Sequence, residues 1–320
     1  MKSRKEFRKN YNVLERAVTH KKRSCAYPGC DQLTINSHAI SEAFLSMIAE
    51  DGHVRMLHNH PYKGLEFCSV GIREATVFSG FCSFHDSTLF AGIDSKQVEF
   101  QNLQNLMLLN YRATVCEMVK KMNRRETYSR TIDPAKELSH PMARHFESRA
   151  EEYLFNFEVS QWYCQELLSG VAAGNSRFDF NAVELPYHDI IVSEHFTFEP
   201  DASIRQKRNE FRRDRSSIDP FSELYIHLFP KPDKSGSLLV ISMHEKDRKI
   251  LADFTDRLLG LPVEKMISGL LVLYLEGWAC SEEFYHHHLS PKEESFFSII
   301  RATAGQCAFD RQTEFDLFRS

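Results

Sequence analysis

The sequence has few residues that break regular structure and no hydrophobic run long enough to cross a membrane. Its 320 residues include only 13 glycines and 11 prolines, which favours helices over a turn-rich β-sandwich. It contains no low-complexity tract and no repeat at a solenoid period. The longest apolar stretch, residues 266–275, includes a serine and a glycine and is about half as long as a membrane-spanning helix must be.

The N-terminus and the composition indicate the class of protein. The first residues, MKSRKEFRKNYNVLER, lack the apolar segment of a secretory signal, so disulfides are not expected. Apolar residues make up 42% of the chain and charged residues 26%, which excludes a mainly disordered chain. We therefore expect a cytoplasmic globular protein with no membrane-spanning segment, long enough for two domains or one large one.

The charge is distributed unevenly along the chain. The formal net charge is −4, yet residues 1–24 carry nine lysines and arginines against Glu6 and Glu15, so this basic arm is at +7 and the remainder at −11. Such an arm favours contact with phosphate groups, although a solvated helix with a charged face explains it equally well. The candidate phosphate contacts in the arm are Arg4, Lys5, Arg8, Lys9, Lys21, Lys22 and Arg23. A second basic cluster, expected to be a mobile loop, comprises Arg205, Lys207, Arg208, Arg212, Arg213 and Arg215.

Hydrophobic periodicity divides the rest of the chain into three regions. Residues 25–95 are rich in cysteine and histidine and alternate short strand-like runs with glycine and proline, with one helix at 41–50. Residues 96–179 have apolar residues three or four apart, which predicts two long paired helices at about 100–118 and 141–169. Residues 180–320 combine an extended stretch at 184–198 and a hairpin at 225–243 with helices at about 245–259, 263–279 and 291–302. The predicted fold class is α+β.

Two short motifs carry the clearest chemical signal. Cys25 and Cys30 are separated by four residues that include a Pro-Gly pair, and Cys82 and His85 are separated by two residues. Each spacing can place both side chains on one metal ion, and a Cys3His set matches a closed, tetrahedral zinc site. Such a site stabilises a fold by about 10 kcal/mol or more. Cys68 is the alternative ligand, and a chance assembly of ordinary core residues is the alternative explanation.

The order of these motifs around His38 resembles a known family. A zinc knuckle, a strand that ends in histidine and a second knuckle that opens a helix are similar to the treble-clef, ββα-metal endonucleases of the HNH type, over about residues 25–90. The resemblance implies an N-terminal zinc-bound treble-clef module at 25–95, followed by a helical middle and a C-terminal α+β region. It implies a structural Zn2+ on the two knuckles, His38 as the general base, and Asp86 as a ligand of a catalytic Mg2+ or Mn2+.

The sequence departs from the common pattern of that family at three points. Ser37 stands where an acidic residue or a second histidine usually precedes the base, residues 77–80 contain no asparagine, and the interval from His38 to Asp86 is long. A treble clef that has lost catalysis but kept nucleic-acid binding would have a similar sequence.

Two functions therefore stay open. The first is a metal-dependent endonuclease that hydrolyses phosphodiester bonds, such as an effector in bacterial defence against phage. The second is a non-catalytic, zinc-stabilised protein that binds nucleic acid or a protein. The expected partner is nucleic acid, with DNA favoured over RNA, and a protein partner could also bind through residues 96–320.

Two other histidine groups are expected to have no catalytic role. Residues 58–60, His-Asn-His, spell the family name, but the family's residues are dispersed in sequence. We predict a polar loop there, with His58 or His60 as alternative ligands of the second metal. The run His286-His287-His288 is predicted to be a solvated helix end, because adjacent helical residues point in different directions.

Overall fold

An antiparallel sheet of seven strands lies at the centre of the computed structural model, which describes residues 4–60, 64–96 and 98–319. The side chains of Arg4, Asn59 and His60 lie outside that description. The strands in the described ranges are β1 (Ser37–His38), β2 (His53–His60), β3 (Gly64–Gly71), β4 (Val77–Phe78), β5 (Phe178–Leu185), β6 (Ile190–Thr197), β7 (Glu223–Pro230), β8 (Ser237–His244) and β9 (Ala279–Cys280). The sheet has the order β3-β2-β9-β6-β7-β8-β5, and β1 and β4 form a separate two-stranded ladder.

Helices cover both faces of the large sheet. Those in the described ranges are α1 (Arg4–Thr19), α2 (Glu42–Ile48), α3 (Ser83–Leu89), α4 (Leu103–Lys136), α5 (His140–Ala173), α6 (Asp201–Arg213), α7 (Arg248–Leu259), α8 (Val263–Leu273), α9 (Glu282–Phe284) and α10 (Glu293–Thr303). None of them combines the length and the apolar composition that crossing a membrane requires. The mixed α+β class is as predicted.

The side chains of β7 alternate between two hydrophobic cores. Tyr225 and Phe229 pack with α4, α5 and the cysteine-rich segment on one face. Leu224, Ile226 and Leu228 pack with α7, α8 and α10 on the other. Successive residues of a strand point to opposite faces, so a strand between two helical layers is buried along its whole length.

The predicted pair of long helices is confirmed, and both helices are longer than predicted. α4 and α5 have 34 residues each and pack against each other. Asn102 and Ser139 cap their N-termini with side-chain oxygens, and Gly174 ends α5 in the left-handed region at φ 65°. α4 contributes to the core that also contains the cysteine-rich segment, and it contacts β6. It therefore connects the two halves of the chain.

The segment 25–95 shares its sheet with the C-terminal region. α2, which begins as predicted with Ser41 as its N-cap, and the hairpin β2–β3 are inserted between β1 and β4. β2 pairs on its other side with β9, and β9 pairs with β6. The hairpin is therefore the edge of the sheet that residues 180–320 build.

Four local predictions are wrong, and long-range contacts account for them. Residues 58–60 are the end of β2 rather than a loop, because they pair with residues 64–66 of β3. The stretch 184–198 is divided between β5 and β6, which pair with different strands. Most of the basic cluster at 205–215 is α6, which packs on α5 and is not a loop. The helix expected over 263–279 ends at Leu273, and buried Glu194 accepts hydrogen bonds from the N–H groups of Glu276 and Gly277 at 2.8 and 3.0 Å.

Candidate metal centre and adjoining pocket

Four side chains from the two predicted knuckles converge at the start of α3. Cys25, Cys30, Cys82 and His85 each offer one ligand atom, and these atoms all lie within 4.8 Å of one another. The Sγ atoms of Cys30 and Cys82 are 3.9 Å apart. His85 Nδ1 lies 3.5 Å from Cys25 Sγ and 3.3 Å from Cys82 Sγ. The predicted convergence of these residues is confirmed.

Three of the six separations between ligand atoms are close to those of a tetrahedral zinc ion. Zn–S bonds of about 2.3 Å and Zn–N bonds of about 2.0–2.1 Å place two sulfur atoms about 3.8 Å apart and a sulfur and a nitrogen about 3.6 Å apart. The three observed separations differ from these values by at most about 0.3 Å. Three thiols and one imidazole, with no open position, form the donor set of a structural zinc. The residues present therefore fit this metal.

The first knuckle is a tight turn that the sequence specifies locally. The Cys30 N–H donates to the Tyr27 carbonyl at 3.1 Å across Pro28 and Gly29, and Gly29 has φ 75°. Proline followed by glycine with a positive φ is typical of a type II turn. The Cys25 N–H donates to the Gln32 carbonyl at 2.8 Å, which closes the loop behind the two cysteines.

The second knuckle is the N-terminus of α3. Cys82 is the N-cap of this helix, and its Sγ accepts from the His85 N–H at 3.5 Å. The same hydrogen bond lowers the pKa of Cys82, whereas burial raises the pKa of Cys25 to about 11. The His85 ring stacks on Tyr27 with centroids 4.1 Å apart, so the first knuckle also fixes the imidazole of the second.

The other metal-ligand candidates do not join this group. Cys68 lies in β3 opposite Met56 and is not in the cluster. Within residues 4–60, 64–96 and 98–319, no further group of three cysteine, histidine, aspartate or glutamate side chains converges to the same degree. His58 is exposed, and the side chain of His60 lies outside the described residues. His286 and His287 are exposed, as predicted, whereas His288 is half-buried against Phe284 and Phe318. All three lie inside a continuous helical run rather than at the end of a helix.

His38 and Asp86, which the sequence places 48 positions apart, line one pocket of 220 Å³. His38 lies on β1, and Asp86 lies in the first turn of α3, directly after the ligand His85. The lining of the pocket consists of His38, Ser41, Glu42, Ala43, Asp86, Asp94 and Arg112.

Hydrogen bonds orient the imidazole of His38. Its Nδ1 lies 3.0 Å from the Ala75 carbonyl oxygen, and because that oxygen can only accept, Nδ1 carries a proton. Its Nε2 lies 3.3 Å from a carboxylate oxygen of Glu42 and faces the pocket. Thr76, the residue after this carbonyl, has φ 58°, which is strained for a β-branched side chain, and its hydroxyl binds both the N–H and the carbonyl of Ile40. The strained residue Thr76 therefore directly follows the carbonyl that orients the imidazole of His38.

The pocket is acidic apart from one arginine. Arg112 is buried in α4 and donates to both oxygens of Asp94, at 2.7 and 2.9 Å. Its guanidinium lies 4.1 Å from the centroid of the Phe90 ring, and its Nε has no hydrogen-bond partner among the described residues. Glu42 and Asp86 are left without an arginine or lysine within ion-pair distance in the described part of the chain. Two carboxylates and one imidazole therefore face the pocket.

Sequence reasoning missed Glu42, Asp94 and Arg112. The position of Glu42, four residues after His38, was a weak sign in the sequence. This spacing brings the two side chains together only if the chain turns into a helix directly after β1. No local feature of the sequence marked Asp94 and Arg112, because their ion pair joins a loop to a helix that begins further along the chain.

The basic arm is a helix docked on α4 and α5. Phe7 and Tyr11 pack on Phe146, with ring centroids 6.0 and 6.1 Å apart, and Glu15 pairs with Arg124 at 2.9 Å. The exposed cations of α1 that have no carboxylate partner among the described residues are Lys5, Lys9 and Arg16. They lie on one face, because residues four and seven apart are neighbours on a helix.

The second basic cluster is partly neutralised. Its members with a carboxylate partner are Arg205, Lys207 and Arg215. Arg208 donates to the Asn156 side chain and Arg212 to the Asn209 side chain. The face of α1 that carries Lys5, Lys9 and Arg16 is therefore less neutralised by carboxylates than the second basic cluster.

Comparisons of the chain with protein-family models, with curated proteins and with solved structures found no match.

Proposed function

We propose that this protein is a metal-dependent endonuclease of the HNH type. The observation that carries the proposal is the shared pocket of His38 and Asp86, positioned by a helix whose first turn belongs to the zinc cluster. A nuclease needs these two groups to face one cavity, whereas a zinc-stabilised binding module has no such requirement.

The order of the elements also supports the proposal. A knuckle, an antiparallel ladder of β1 and β4, and a helix that starts at the second knuckle are similar to the zinc-bound ββα arrangement of that family. In this interpretation α2 and the hairpin β2–β3 are an insertion between the two strands, which accounts for the long interval between His38 and Asp86.

His38 is placed to act as the general base. Because Nδ1 donates its proton to the Ala75 carbonyl, Nε2 is the ring nitrogen that would take a proton from an attacking water, once the Glu42 carboxylate that lies 3.3 Å from it turns towards the cation. The Glu42 carboxylate beside Nε2 stabilises the imidazolium that forms in that step. Glu42 thereby supplies a negative charge where Ser37 has none, so the first departure from the family pattern is compensated by a residue from the inserted helix.

Asp86 and Glu42 are the residues that would hold a divalent cation. Oxygen ligands of this kind suit Mg2+ or Mn2+, and such an ion offsets the charge that develops on a phosphate during hydrolysis. Arg112, fixed by Asp94 and Phe90, forms the cationic wall of the same pocket.

The second candidate function is nucleic-acid binding without catalysis. It is favoured by the docked α1 helix, whose cationic face is exposed, and by the absence of a second preassembled group of three metal ligands in the described ranges. In that case His38 would only brace the ladder through its hydrogen bond to Ala75.

Cleavage of supercoiled plasmid and of a structured RNA, each with Mg2+ or Mn2+, tests the proposal. We expect the wild type to cut and His38→Ala to lose about 10²- to 10⁴-fold in rate, as is usual for a missing general acid or base. Asp86→Asn, which removes a charged ligand of the cation, should also cut more slowly than the wild type. His20→Ala, which changes an exposed histidine at the end of α1, is the matched control and should cut normally.

Two results would contradict the nuclease. One is a wild-type protein that binds DNA but does not cut it with any divalent metal, which would favour the second candidate. The other is cleavage that His38→Ala leaves unchanged, since the activity would then come from a contaminant or from another site.

A further inference from the structure

A second cavity lies on the opposite face of the large sheet from the zinc cluster. It is a cleft of 330 Å³ between α7, α8 and the C-terminal segment 309–314. Its apolar walls are formed by Phe198, Phe254, Leu258 and Met266, which belong to the core on that face. Two exposed apolar side chains, Leu261 and Phe309, stand at its rim. The size is in the range of small-molecule sites, which cover about 300–1,000 Å³.

A glycine inside α8 opens this cleft. Gly269 occupies an interior position of the helix, where glycine costs about 1 kcal/mol relative to alanine. A Cβ built at this residue meets no atom within 4 Å, and Gly269 lines the cleft. The missing side chain therefore leaves open space in the wall and is not required by close packing.

The polar groups of the cleft are mainly cationic. Arg257, Lys265 and Arg311 line it, against the single carboxylate Glu314, which pairs with Lys265. In the described part of the chain Arg257 and Arg311 have no carboxylate partner, and they donate instead to the backbone carbonyls of Asp253, Gln306 and Leu273. The lining is thus at +2, in a chain whose residues 25–320 sum to −11.

The guanidinium groups of Arg257 and Arg311 line the cleft together with Tyr274. Burial raises the pKa of Tyr274, and the positive charges of Arg311 and Arg257 partly oppose that rise. The Tyr274 hydroxyl donates to the Arg311 carbonyl at 3.1 Å. Both positive charges therefore line the same cleft as its apolar wall. A ligand that matches this arrangement carries an anionic head and an apolar body.

We propose that this cleft binds a small amphipathic anion of the medium-chain carboxylate class. The carboxylate would pair with Arg257 and Arg311, and the apolar chain would lie along Phe254, Leu258 and the gap at Gly269. This site is independent of the proposed nuclease, since it is built on the other face of the sheet from different residues.

Calorimetric titration of the full chain with sodium decanoate tests the proposal. We expect saturable binding to the wild type that is weakened at least tenfold in Arg257→Glu and in Gly269→Leu, which fills the gap. Lys249→Glu is the matched control, because it reverses an exposed charge of α7 outside the cleft, and it should change the dissociation constant by less than twofold. Decanol, which has the same chain and no charge, should bind at least tenfold more weakly.

Three outcomes would overturn the proposal. They are no binding of decanoate at millimolar concentration, equal binding of decanol, or equal weakening by Lys249→Glu and Arg257→Glu. Gly269→Ala separates blocking from unfolding, since one methyl group keeps the helix and leaves most of the gap open. If Gly269→Leu fails to fold, Arg257→Glu and decanol still decide the question.

Discussion

Replacing Cys82 with alanine should remove zinc from the protein and unfold the segment around it. The change deletes one of four ligands and also the sulfur that caps α3. Loss of an N-cap costs about 1 kcal/mol, whereas a structural zinc contributes about 10–16 kcal/mol in small zinc-binding peptides. The free energy lost with the metal is therefore about ten times that lost with the helix cap.

The loss should be local rather than global. The candidate metal ligands come from residues 25–30 and 82–85, and the core against α7, α8 and α10 contains none of them. Whole domains are stable by only about 5–15 kcal/mol, so a segment held mainly by the metal cannot stay ordered without it. We expect hydrogen exchange to accelerate by at least a hundredfold in residues 24–35 and 80–90 while β6, β7 and β8 stay protected.

Elemental analysis and hydrogen exchange measured by mass spectrometry provide the assay. Wild-type protein should contain about one zinc per chain, and Cys25→Ala and Cys82→Ala should contain less than a tenth of that. Cys68→Ala is the matched control, because Cys68 lies in β3 outside the cluster, and it should keep its zinc. A wild type without zinc after growth in zinc-supplemented medium, or a Cys82→Ala variant that keeps it, would refute the reasoning.

Two further predictions concern charge. In a His38→Ala protein, Lys5, Lys9 and Arg16 can be changed together to glutamine, and binding to a 20-base-pair DNA duplex can be measured at several salt concentrations. The slope of log affinity against log salt concentration should become shallower by about 3, because each phosphate that is no longer neutralised contributes about 0.9. Lys249→Gln should leave the slope unchanged, and an equally steep slope in the triple variant would show that α1 does not touch the backbone. Burial raises the pKa of Glu194 to about 7 from 4.5, so native protein binds this proton more tightly than unfolded protein. The contribution of Glu194 to stability should therefore be full below pH 4.5 and be lost as the pH rises through 7, by about 3 kcal/mol. In thermal melts Glu194→Gln should gain on the wild type as the pH rises from 5 to 8, and a difference independent of pH would contradict this.

The parts of the site that could be predicted from sequence depend on short-range chemistry. A Pro-Gly turn between Cys25 and Cys30, and a cysteine that caps a helix three residues before His85, are geometries that a few neighbouring residues determine. The 3.6-residue period likewise predicted α4 and α5, although α4 is buried on every side over residues 106–116 rather than along one apolar stripe.

The parts that could not be predicted depend on pairings between distant segments. β9 has only two residues, and it becomes a strand because β2 and β6 flank it. Residues 58–60 have polar side chains, and backbone pairing with β3 rather than their hydropathy makes them a strand. No local signal distinguishes such segments from loops, because the energy that orders them comes from partners elsewhere in the chain.

Only one wall of the pocket at His38 belongs to an element that the proposed zinc site holds in place. β1 holds His38 through its ladder with β4 and the Ala75 carbonyl, α2 carries Glu42, and α4 carries Arg112. Asp86 alone stands on α3, whose first turn is formed by the ligands Cys82 and His85. Zinc loss should therefore displace Asp86 while His38 and Glu42 keep their contact. If the proposed chemistry is correct, a protein stripped of zinc keeps its base and loses Asp86, one of its two cation ligands, so excess Mg2+ would not restore cleavage but added Zn2+ would.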